Sequence, residues 1–155
     1  GDAYGLKLFG ARAVESMRIE KGFLHWKTEL LTEFDPFETG LSRFVKMDKE
    51  YFIGKGALKE RSKKGPKFKL VTLHIDSNSA PAHGGASVMI ENRVVGTVTS
   101  GDWGHRVNMN LAYAFIEQDI AEVGTILSID ILGKIQPAQV VISSPYDPSY
   151  ERMRA

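Results

Sequence analysis

Leu6, Phe9, Gly10, Ala13, Val14 and Met17 recur at the spacing of one helical face, Lys7, Arg12 and Glu15 fall off it, and Gly22 follows as a natural stop. The pattern predicts an amphipathic helix ending at Gly22, and its apolar stripe needs a tertiary partner because short helices do not persist alone in water. The next stretch, FLHWKTELL, mixes aromatic and β-branched residues with charges and reads as a loop or short strand. In FDPFETGL, Asp35 suits an N-cap, Pro36 the first helical position and Glu38 the acid of a capping box, which predicts a helix start. A further helix is predicted over IGKGALKERSKKGP. Ala57 and Leu58 are expected to face inward, Arg61, Lys63 and Lys64 load the C-terminal end, and Gly65-Pro66 ends it.

Beyond Pro66 the period changes from helical to two. FKLVTLHI, ASVMI, RVVGTVTS, LAYAFI, TILSIDIL and IQPAQVVIS are strand candidates rich in Val, Ile, Thr and aromatic residues. They predict a small antiparallel barrel or sandwich, with hairpin turns at Asn92 and Gly133-Lys134 and with Pro137 at an edge or bulge. The chain therefore reads as α+β: a short N-terminal helical and loop segment over residues 1–65, too thin to be a domain of its own, then a β domain over residues 66–155.

Composition narrows the chemistry more than it names it. The 155 residues carry 20 Lys plus Arg against 19 Asp plus Glu, a net charge of +1, so no global field selects nucleic acid or an anionic membrane. Without cysteine there is no disulfide, thiolate nucleophile or sulfur-ligated metal, which suits a reducing compartment. The longest apolar runs are strand-sized, and the first residues lack the pattern of a signal peptide.

His25, His74, His83 and His105 show no paired spacing, so metal binding is not expected. TSGDWGH offers Ser100, Asp102 and His105, but without the strand-turn-helix context that exposes a nucleophilic serine. It reads instead as a loop between strands, with Gly101 and Gly104 free to adopt positive φ and Asp102 bonding its own backbone. Gly54-Lys55-Gly56 and His83-Gly84-Gly85 lack the setting of a phosphate cradle. The basic run Lys55, Lys59, Arg61, Lys63, Lys64, Lys67 and Lys69 is either a solvated face or a landing strip for a carboxylate-rich tail such as polyglutamate. Arg18 and Glu20 flank Ile19 just after the predicted helix and share a face if the chain is extended there. They either pair with neighbours or hold a ligand, the arginine forking onto a carboxylate or a heterocycle.

GARAVESMRIEKG resembles the helix-to-glycine segment of the glycine-cleavage T protein (aminomethyltransferase) family. FDPFETGLSRFVKMDKEYFIGKGAL resembles the P-x-E-x-G-L and F-I-G-x-x-A-L segments that follow, VVGTVTSG the G-x-x-T-S-G strand of the family's C-terminal barrel, and NLAYAFIEQDIAEVGT its L-A-Y-A and V-G-T strand starts. Within that family, EKGFLHWKTEL, SGDWGH and LAYAF are most similar to the folate-binding C-terminal region of dimethylglycine and sarcosine dehydrogenase-like proteins. The resemblance implies that residues 1–65 are the closing part of a folate-binding domain and residues 66–155 a β-barrel. It implies a C-terminal region whose full protein moves a one-carbon unit from a methylated amine or aminomethyl carrier to tetrahydrofolate, inactive when isolated. The missing polypeptide would cover the first helix.

The same resemblance assigns Arg18 and Glu20 to the family's R-x-E segment beside the folate cavity, and Trp26 to an aromatic position near it. The family's one-carbon-transfer aspartate lies upstream, so no catalytic residue is assigned here. At PAHGG this chain has His83 where T proteins often carry arginine. FAD enters only through an upstream domain, since no dinucleotide-type glycine fingerprint occurs in this stretch. The implied partners are a folate, a methylated amine and the upstream domain of the same polypeptide, in the cytoplasm or, in a eukaryote, the mitochondrial matrix. Alternatives are a folate-sensing or docking module without catalysis, and a folate-dependent demethylase of a sulfonium or aromatic ether.

Overall fold

The computed structural model describes residues 1–154. Strands β1 (Phe68–Ile75), β2 (Ser87–Ile90), β3 (Arg93–Gly104), β4 (Met109–Glu117), β5 (Ile126–Ile131) and β6 (Lys134–Val141) close into an antiparallel barrel in the order β1-β4-β3-β2-β5-β6. Alternation sends Val71, Leu73 and Ile75 of β1, Val88 of β2, Leu127, Ile129 and Ile131 of β5 and Ala138 and Val140 of β6 into one core. Ala112, Ala114 and Ile116 of β4 join it, while Leu111, Tyr113 and Phe115 point out of the barrel and are buried too. The continuous apolar run LAYAFI thus marks a strand covered on both faces. Ile19 packs on Leu111 and Tyr113, and Phe34 stacks on Phe115 with ring centroids 3.5 Å apart.

Several local expectations are corrected. The first helix, α1 (Ala11–Lys21), begins after Leu6 and Phe9, because Gly10 is extended and Gly5 is left-handed, two conformations glycine adopts without penalty. Gly22, at φ 81°, ends it in a Schellman motif, with Gly22 N–H donating to Ile19 and Phe23 N–H to Arg18. Arg18 and Glu20 therefore lie inside the helix and not on extended chain. The capping box at Asp35 forms: Asp35 Oδ1 accepts from Phe37 and Glu38 N–H, and Glu38 Oε2 accepts from Asp35 N–H. No helix grows from it, since Gly40 turns left-handed and buried Glu38 is also held by the N–H groups of Lys67 and Phe68 at the entry to β1.

Helix α2 (Lys55–Lys64) forms and stops at Gly65 as predicted, yet Ala57 is exposed and no residue of the helix is buried. The GDWG expected as loop is the end of β3, paired from Gly101 with Ala112 to Gly104 with Met109. Neither glycine has positive φ; a Cβ on Gly101 would lie 2.4 Å from the Ala82 carbonyl oxygen, so close approach explains it. The β5–β6 turn is Leu132-Gly133, both left-handed, and Lys134 already opens β6. A four-residue helix, α3 (Glu151–Arg154), follows the barrel. Among the described residues no helix is long and apolar enough to cross a membrane, and no cluster of three His, Asp or Glu is placed to hold a metal ion.

Candidate ligand cavity at the end of helix α1

Helix α1 turns the side that reads as more polar to the barrel. Ser16 Oγ donates to the Trp103 carbonyl at 2.5 Å, Ile19 is buried, and Arg18 and Glu20 are more than nine-tenths buried. The predicted stripe faces away, with Val14 and Met17 still 42% and 48% exposed and Phe9 and Phe23 beside them uncovered. These four residues wall a cavity of about 370 Å3 that Arg18 and Glu20 also line, closed on its barrel side by Arg106 and Tyr146.

The arginine is held from several sides. Its Nε donates to Glu15 Oε2 at 2.7 Å, its Nη1 to Glu29 Oε2 at 3.0 Å and to the Phe23 carbonyl at 3.4 Å, and its guanidinium carbon lies 5.7 Å from the Tyr113 ring centroid. Glu20 Oε2 accepts from the Arg106 N–H at 2.9 Å. Arg18 Nη2 and Glu20 Oε1 have no protein partner among the described residues, and neither is a buried unpaired atom. The cavity is thus lined by Arg18, Glu20, Lys21 and Arg106 among apolar walls, with Arg18 Nη2 and Glu20 Oε1 uncommitted to protein partners, an arrangement suited to a planar heterocycle or a carboxylate.

Below this site, Tyr113 O–H donates to the Ile19 carbonyl at 3.1 Å. Burial pushes its phenol well above the ordinary value, against the opposing effect of the Arg18 cation. From the C-terminal side, Lys21 Nζ donates to Asp147 Oδ2 at 3.0 Å and sits 3.8 Å from the Tyr150 ring centroid. Desolvation pulls the Asp147 carboxyl upward, but the hydrogen bonds from Lys21 and from the backbone N–H groups of Glu151 and Arg152 outweigh it and hold the group below the ordinary carboxylate value.

Trp26 is not brought to this cavity. It is 67% exposed on a turn-rich loop and lines a separate groove with Leu30, Pro36 and Leu41. A larger cleft, of about 460 Å3, opens between that loop and the barrel over Phe34, Phe68 and Phe115. Lys27 is its one charged lining residue among those described, so no acid–base pair converges there. Of the residues that organise Arg18, Glu29, Thr99 and Tyr113 carry no site signal in the sequence, and Ser100 stands out there only as a nucleophile candidate that its context rules out. A single acid in HWKTEL carries no local signal, whereas the short TSG and LAYA motifs lay over the other three.

Comparison with known proteins places this geometry in a family. The family model described as the glycine cleavage T-protein C-terminal barrel domain matches residues 69–147, and that of the GCVT N-terminal domain matches residues 1–49. The mitochondrial dimethylglycine dehydrogenase of Homo sapiens is 35% identical over 158 residues, covering 99% of this chain and 18% of that protein. The aminomethyltransferase of Caldanaerobacter subterraneus subsp. tengcongensis is 35% identical over 152 residues, covering 98% of this chain and 40% of that protein. The crystal structure of glycine cleavage system aminomethyltransferase T from Bartonella henselae superposes with a TM-score of 0.80 at 24% identity, over 88% of this chain and 38% of that one, a likeness of fold. The chain thus spans less than half the length of each.

Proposed function

Because the chain belongs to the glycine cleavage T-protein family, we propose that it is the C-terminal region of a folate-dependent enzyme moving a one-carbon unit from a methylated amine or aminomethyl carrier to tetrahydrofolate. In this reading residues 1–65 close the folate-binding domain and residues 66–155 are its barrel scaffold. The observation that carries the reading is the cavity beside the uncovered face of α1, lined by Arg18 and Glu20, whose Nη2 and Oε1 have no protein partner among the described residues.

The cavity fits the substrate by type. A folate has a flat heterocycle with donor and acceptor edges and a carboxylate tail; apolar walls accept the ring, Arg18 pairs with an acceptor or carboxylate, and Glu20 with an N–H. The work of these residues is positional. They hold the acceptor in one orientation and exclude water from its apolar faces, so that near-attack placement replaces bimolecular encounter. The carboxylate that manages the proton and any FAD belong to other parts of the intact polypeptide, located in the cytoplasm or the mitochondrial matrix.

Calorimetric titration of the intact gene product with tetrahydrofolate tests this. Replacing Arg18 by Ala is expected to raise Kd at least about tenfold, the loss of a charged hydrogen bond, with a cooperative unfolding transition retained. An unchanged Kd would make Arg18 a purely structural ion-pair partner.

A further inference from the structure

Glu29 is fully buried, and each of its carboxylate oxygens accepts two hydrogen bonds. Oε2 takes the Arg18 guanidinium at 3.0 Å and the His25 N–H at 2.8 Å; Oε1 takes Thr99 Oγ1 at 3.0 Å and Ser100 Oγ at 2.5 Å. A buried carboxylate so surrounded is rigid, because rotation gives up the bonds from Arg18, His25 and Ser100, while Thr99 shares its one proton with the Tyr113 carbonyl at 3.2 Å.

The two hydroxyls come from consecutive residues of β3, and successive side chains of a regular strand point to opposite faces. The register against β4 explains how both reach one carboxylate: Val98 pairs with Ala114 and Ser100 with Tyr113, leaving Thr99 as an extra residue in a bulge. Val98 stays in the barrel core while both hydroxyls face outward to Glu29. A bulge interrupts the barrel's pairing, and here it is spent on orienting a carboxylate that touches α1 only through Arg18.

We infer that Glu29, anchored by the Thr99–Ser100 bulge, is a positioning residue that fixes the Arg18 guanidinium so that Nη2 projects into the ligand cavity; this rests on the folate reading of Arg18. With Nε committed to Glu15 and Nη1 to Glu29, the plane of the guanidinium is set at two corners, which leaves Nη2 as the nitrogen free for a ligand. Glu29 touches no ligand itself. It acts by removing the alternative orientations of Arg18 before binding.

A double-mutant cycle in the intact gene product, read as the tetrahydrofolate Kd, tests this. Glu29→Gln is expected to weaken binding about tenfold in the wild-type background, and to have almost no further effect once Arg18 is Lys, because a lysine ammonium lacks the planar fork that Glu29 orients. Equal weakening by Glu29→Gln in both backgrounds would overturn the inference, since that is the signature of a loop that needs Glu29 merely to fold. Should Arg18→Lys leave Kd unchanged, the folate contact of Arg18 fails and the inference goes with it. Where Glu29→Gln does not fold, the same cycle run with Thr99→Val, which keeps the carboxylate and removes one anchor, has the same two outcomes on a smaller scale of about threefold.

Discussion

Lys21 and Asp147, 126 positions apart, meet at 3.0 Å and fasten the segment after β6 to the last turn of α1. Lys21 also donates to the Asp147 carbonyl at 2.6 Å, so charge and backbone hold the same contact. Asp147 titrates below its ordinary value in the folded chain and at that value when unfolded, so the unfolded state binds the proton first as pH falls. Its contribution is therefore present above the ordinary carboxylate range and lost as pH drops through the lowered value. Urea midpoints of the wild type and Asp147→Asn are expected to differ at neutral pH and to converge in acid; a pH-independent difference would show that the carboxylate charge is not what matters.

Tyr113 has the opposite linkage. Its phenol stays protonated in the folded chain past the ordinary value of 10.0, whereas the unfolded chain ionises there, so stability falls as pH rises above that point. Ultraviolet titration is expected to show one of the five tyrosines ionising only with alkaline unfolding. Tyr113→Phe should remove that late step and, by losing the bond to the Ile19 carbonyl, destabilise by about 1 kcal/mol.

Gly22 combines left-handed backbone with contact. A Cβ there would sit 2.6 Å from the Ser143 carbonyl oxygen, while at Gly54, also at positive φ, it would meet nothing within 4 Å. Gly54→Ala is expected to cost about 1 kcal/mol of backbone strain, and Gly22→Ala more than about 2 kcal/mol, in denaturant unfolding. Equal effects would mean that the strap carrying Ser143 yields without loss.

Met17 tests what covers the outward face of α1. Half exposed in this chain, it should tolerate Met17→Lys within about 0.5 kcal/mol when residues 1–155 are unfolded by urea. In the intact gene product the same substitution should lower the melting temperature, because covering polypeptide buries the added charge, and weaken tetrahydrofolate binding, because the ammonium competes for the Glu20 carboxylate in the same cavity. Full tolerance in both would leave that face uncovered in the working protein.

Residues of the site differed in how far they could be read from the chain. Arg18 and Glu20 carried a short motif and do line one cavity, although on helix and not on extended backbone. Trp26, set near the cavity by the family resemblance as an aromatic position, lies on another groove, because the loop after Gly22 turns away before it. Asp35 and Glu38 announced their hydrogen bonds correctly and the helix wrongly. A capping box satisfies a few N–H groups, but propagation needs further residues of helical backbone, and Gly40 and the anchoring of Glu38 at β1 prevent that.

What the sequence alone determined is what depends on neighbours along the chain: six strands from local patterning, and the stops at Gly22 and Gly65. Barrel order, the side of α1 that packs inward, and the meeting of Arg18 with Glu29 and the Thr99–Ser100 bulge were decided by tertiary structure. The physical reason is range. Periodicity and turn chemistry act over a few residues, whereas the buried Glu29 carboxylate is completed only once β3, distant in the chain, has closed over it and supplied the Thr99 and Ser100 hydroxyls.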